Sequence, residues 1–154
     1  AAVGTYQPFQ SQAITISPAR RGKVLLSSVD SEIIIDVITA RQDDLKKNPT
    51  KYRNFLAGIY RAIDLYRTNP EEFIELAAPH YNLSEDEVKE IIDTSLAYTP
   101  LAEAKDLIGT PDRPGRLHGI FDTVMQLNIE NGAADTRLSA ASQIDASVIS
   151  QVSP

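Results

Sequence analysis

Residues 33–38 read Ile33-Ile34-Ile35-Asp36-Val37-Ile38, an apolar, β-branched run interrupted by one acid. Such a run predicts a strand over Ile33–Ala40 that is buried on both faces. A carboxylate left unpaired there costs several kcal/mol. Asp36 therefore needs a partner, either a cation or donor of the protein or something the protein binds. Working outward, Ser27, Ser28, Asp30, Ser31 and Glu32 form a polar turn before the run, and Gly22 marks a turn before a further strand over Lys23–Ser27. Ala1–Thr5 reads as a strand end and Phe9–Ile16 as a short helix. The section up to about Arg41 is thus predicted to be β-rich.

Beyond it the period changes from two to about 3.6. Asn48-Pro49 pairs an N-cap residue with proline at the first helical position, and Tyr52, Phe55, Leu56, Ile59, Ile63 and Tyr66 then recur on one face. Asn69-Pro70-Glu71-Glu72 repeats the start signal, with acids placed to complement the helix dipole; that helix is expected to end near Pro79. Ser84-Glu85-Asp86-Glu87 has the form of a capping box ahead of Val88, Ile91, Ile92 and Leu96, with Pro100 closing the helix. Gly109–Gly115 is turn-rich. Leu117, Ile120, Phe121, Val124 and Leu127 share a helical face stopped at Asn131-Gly132, and Ile144, Val148, Ile149 and Val152 are expected to dock the C-terminus. No internal repeat or low-complexity tract interrupts this order.

Composition narrows the functions. The chain has 154 residues, 42% hydrophobic and 23% charged, which suits an ordinary domain with a core. A net charge of -6, with Arg20, Arg21 and Lys23 as its one basic cluster, argues against general nucleic-acid binding. Without cysteine there is neither a disulfide framework nor a thiolate nucleophile. No apolar stretch approaches the roughly 18 residues of a membrane span, and the opening lacks the pattern of a signal peptide. The apolar start at Ala1–Val3 reads as a chain entered in mid-strand, which predicts a processed piece or the C-terminal part of something longer.

Several segments taken in order carry a resemblance: AAVGTYQPFQSQA (1–13), GKVLLSS (22–28), IIIDVITARQDDLKKNP (33–49), YRNFLAGIYRAIDLYRTNPEEF (52–73) and GTPDRPGRLHGIF (109–121). Together they are similar to the C-terminal half of the extracytoplasmic solute-binding proteins of ABC importers. The group they resemble most binds nitrate, sulfonates, taurine and bicarbonate, with thiamine-precursor binders as relatives. The resemblance implies an α/β fold, a partial periplasmic-binding-protein-like (type II) clamp with a short β-rich section followed by a helical one. Residues 1–17 would finish the second lobe, 18–41 would cross the hinge, and 42–154 would supply the helical part of the first lobe as one unit. Most of the first lobe's sheet would then lie outside this chain.

The resemblance also implies a ligand site. Asp36 matches the acid on the crossing strand that holds the ammonium of an amino-sulfonate, a charge-assisted hydrogen bond; an internal Arg or backbone donor is the alternative partner. Tyr6 and Gln7, before Pro8, match the aromatic or polar residues at the cleft mouth, although Pro8 at a helix start also explains an ordinary turn. Ser28, Ser31 and Glu32 complete the candidate set, against a plain surface turn. His80 and His118 fit neither a zinc spacing nor a catalytic motif, so no metal, cofactor or catalytic residue is expected. Arg113 and Arg116 beside a helix start suit either a small anion or a solvated loop. Glu85, Asp86 and Glu87 are accounted for by capping, and Tyr52, Tyr60 and Tyr66 by core packing with a wet hydroxyl edge.

The expected function is non-catalytic capture of a small oxyanion, sulfonate or amino-sulfonate outside the cytoplasm, with an ABC permease as partner. Exposed strand edges would pair with the other half of the protein or with a second copy. Alternatives are a solute-sensing domain fused to an importer ATPase, which would be cytoplasmic, and a helical interaction domain with no small-molecule ligand. No G-x-S-x-G elbow or glycine-rich phosphate loop supports an enzyme.

Overall fold

Proline at the first position opens two successive helices, because its fixed φ suits the first turn and its missing N–H is one that turn leaves unbonded anyway. The computed structural model describes residues 3–6, 9–16, 22–28 and 34–153, and places these helices at α3, Pro49–Thr68, and α4, Pro70–Tyr81. Ahead of them come α1, Phe9–Thr15, and α2, Gln42–Lys47. After them come α5, Glu85–Ser95, and α6, Leu101–Ile108. A hairpin follows, β1, Gly109–Thr110, and β2, Arg113–Pro114, antiparallel with Gly109 opposite Pro114 and Thr110 opposite Arg113. The chain ends with α7, Arg116–Glu130, α8, Ala140–Gln143, and a 3-10 turn, Ile149–Gln151. The described chain is therefore mostly helical, with one small two-stranded sheet.

Two compact units divide it, Ala1–Ile34 with Glu71–Ala97, and Ile35–Pro70 with Tyr98–Pro154. In the first, Ile74 and Ala78 on α4 and Val88 and Ile92 on α5 are buried, each pair four residues apart on one helix face. α5 begins with the capping box its sequence announces. The Ser84 hydroxyl accepts from Glu87 N–H at 3.3 Å, while the Glu87 carboxylate accepts from Ser84 N–H at 2.8 Å.

α4 ends at Tyr81, two residues beyond the Pro79 near which its sequence places the end. Proline there removes the bond to the carbonyl four residues back, and with only one turn remaining the helix tolerates the loss. The end is set instead by Asn82, at φ 54, with Asn82 N–H donating to Pro79 C=O and Leu83 N–H to Ala78 C=O. This is a Schellman motif with asparagine in the left-handed position.

In the second unit, Leu101 and Ala104 of α6 bury themselves with Ile149 and Val152 of the C-terminal turn, flanked by Leu56, Ala57 and Tyr60 of α3 and by Ile108. Val152 keeps 1% of its surface exposed, and burying a side chain of that size is worth about 1.5–3 kcal/mol. Lys105 ties the same turn down, its ammonium donating to the Val152 carbonyl at 2.8 Å. α7 packs against α6 and α8. Helix α6 was not anticipated: Pro100, taken as the stop of the preceding helix, is the N-cap of the next.

The predicted strands over Lys23–Ser27 and Ile33–Ala40 are a further correction. Residues 23–27 and 34–40 form no strand, and β1 and β2 are the only strands among the described residues. A strand exists only through hydrogen bonds to a neighbour, and residues 34–40 make none with the described residues. Ile33 lies outside the described residues, as do Ala1 and Ala2 of the predicted strand end; Val3–Thr5 form no strand.

Candidate functional site

Asp36 belongs to the second unit, on the stretch without regular secondary structure that leads into α2. Its sequence placed it on a buried strand; the structure leaves it exposed, with no hydrogen bond or ion pair to a described residue. The burial that seemed to demand a partner is thus absent. Ile34, Val37 and Ile38 around it are exposed as well.

Of the other candidates, Tyr6 and Ser28 belong to the first unit. Tyr6 stands before α1 and is exposed, its ring meeting the edge of Phe9 at 5.6 Å between centroids, while its carbonyl accepts the Gln10 N–H at 3.0 Å. Its hydroxyl-bearing ring is therefore held by a local aromatic contact. Ser28 is exposed. Gln7, Ser31 and Glu32 lie outside the described residues. The structure thus places Tyr6, Ser28 and Asp36 individually, all of them open to solvent.

The densest polar cluster of the second unit was not anticipated. At the corner between α2 and α3, the Asp44 carboxylate accepts from Asn48 Nδ2 at 2.7 Å, from Lys51 Nζ at 2.7 Å and from the Tyr52 hydroxyl. Lys51, then Tyr52 and Asn48, hold the Asp44 carboxyl at about 2 against an ordinary 3.8. Asp44 in turn raises both the Lys51 ammonium and the Tyr52 phenol. Asn48 does not cap α3 with its side chain, because that side chain is spent on Asp44. The signal was the D-x-x-x-N-x-x-K-Y spacing, which brings four polar groups to one turn. Its geometry is that of a corner clasp: one carboxylate oxygen accepts from Asn48 and the other from Lys51 and Tyr52, while the group stays partly open to solvent.

Farther along the same unit, a cleft of about 600 Å³ is lined by Lys105, Asp106, Thr110, Arg113, Gly115 and Ser150 among others. Its hairpin wall depends on two glycines. Gly109 has φ 77, and an added Cβ on Gly115 would run into the carbonyl oxygens of Leu107 and Asp106. Arg113 N–H donates to the Thr110 hydroxyl at 3.1 Å, and Gly115 N–H to the Ile108 carbonyl at 3.1 Å, closing the turn on the end of α6. Arg113 and Arg116 are both exposed.

His80 is exposed and His118 half-buried, and no group of His, Asp and Glu is arranged to hold a metal ion among the described residues. No described helix is long and apolar enough to cross a membrane. Burial raises the Tyr60 phenol, the one tyrosine that packs on the α3–α6 core. Tyr66 packs edge-on to Tyr98 at 5.7 Å. No family model matches the chain, and comparison with curated proteins and with solved structures finds no similar protein.

Proposed function

We propose that this chain is the C-terminal half of an extracytoplasmic solute-binding protein, of the type II clamp fold, that captures a small oxyanion, sulfonate or amino-sulfonate for an ABC permease. The observation that carries the proposal is the stretch Ile34–Ala40. Its β-branched composition suits a strand buried on both faces, yet it pairs with no described strand and, apart from the half-buried Ile35, is exposed, with Ile34 at 75%. Val24, Leu25 and Leu26 repeat the pattern in the first unit. An apolar segment of strand composition with an unpaired backbone is a template for pairing, and in a two-lobed clamp the pairing strands come from the other half of the protein.

Function follows from that completion. Covered by the rest of the sheet, Asp36 becomes a carboxylate in a cleft of low dielectric, where an ammonium group of the solute neutralises it. Binding desolvates the solute and shifts the clamp to its closed state, which the permease recognises. No step of this requires catalysis.

Isothermal titration of the full-length gene product with taurine, alkanesulfonates, nitrate, bicarbonate and pyrimidines tests the proposal. One of these solutes is expected to bind with a Kd of about 10 μM or below. If it carries an amine, Asp36→Ala is expected to weaken it at least ~10-fold, the worth of a hydrogen bond to a charged group. Absence of binding across the whole panel contradicts the proposal.

A further inference from the structure

We draw no further inference here: the strongest candidate, the cleft between the end of α6, the β1–β2 hairpin and the C-terminal turn where Lys105, Thr110 and Arg113 meet the start of α7, carries nothing because Arg113 and Thr110 are exposed, Lys105 is bonded to Val152, and no second observation among the described residues points to a ligand there.

Discussion

The C-terminal turn and the stretch Ile34–Ala40 are both short and apolar, yet Val152 keeps 1% of its surface exposed and Ile34 keeps 75%. The difference is what each segment finds beside it. The C-terminal turn meets α6 and α3, two helices that have already satisfied their own backbone and offer an apolar stripe. Ile34–Ala40 forms no regular element, and a segment of strand composition needs a neighbour for its backbone as well as for its side chains. Apolar composition therefore sets a demand for burial, and only a suitable neighbour meets it.

The comparison can be broken by substitution. Leu101→Ala, in the helical core, is expected to cost about 2–4 kcal/mol in urea unfolding. Ile38→Ala, on the stretch Ile34–Ala40, is expected to stay within about 0.5 kcal/mol, the scale of surface changes. Equal losses at the two sites would mean that Ile34–Ala40 is packed after all. Helix termini should fall between these extremes. Asn82→Ala keeps the Cβ but loses the short polar side chain that lets asparagine tolerate the left-handed region, and is expected to cost about 1 kcal/mol, while Asn82→Gly, which removes the Cβ, leaves stability unchanged or raises it. Ser84→Ala removes the hydroxyl of the capping box, with an expected loss of about 1 kcal/mol at neutral pH.

The smallest effect concerns pH. Asp44 titrates at about 2 in the folded chain against an ordinary 3.8. A folded value below the unfolded one means that the ionised carboxylate stabilises the fold above pH ~4, and that this contribution fades as the pH falls toward ~2. Thermal melts of the parent and of Asp44→Asn are therefore expected to differ at pH 6 and to converge toward pH 2. A difference that persists unchanged at low pH would show that the clasp works by shape rather than charge. Because the group is exposed, salt should shrink the gap.

What could be read in the sequence was local. Asn48-Pro49, Asn69-Pro70, Ser84 with Glu87, and Asn131-Gly132 each place a helix end through chemistry confined to a few residues, and each end lies where the structure has it. Of Ile144, Val148, Ile149 and Val152, which were expected to dock, the last three are buried and Ile144 is half-buried. Pro100 was misassigned because a proline that cannot continue one helix serves equally well to begin another; the Leu101, Ala104 and Ile108 spacing was the missed signal. The clasp at Asp44 was missed because its residues look like an ordinary charged surface until a corner brings them together. The strands failed for a different reason. Pairing is non-local, so Ile33–Ala40 carries the composition of a strand without carrying the neighbour that would make it one. The ligand role proposed for Asp36 rests on strands that the described residues around it do not supply.

Hydrogen–deuterium exchange at amides 35–40 bears on that sheet without reference to any particular solute. On the proposed reading, these amides exchange at least ~100-fold more slowly in the longer protein than in this chain alone, because ladder hydrogen bonds would protect them. Equal, fast exchange in both would contradict the account and leave Ile34–Ala40 an exposed connector rather than a strand of the binding clamp.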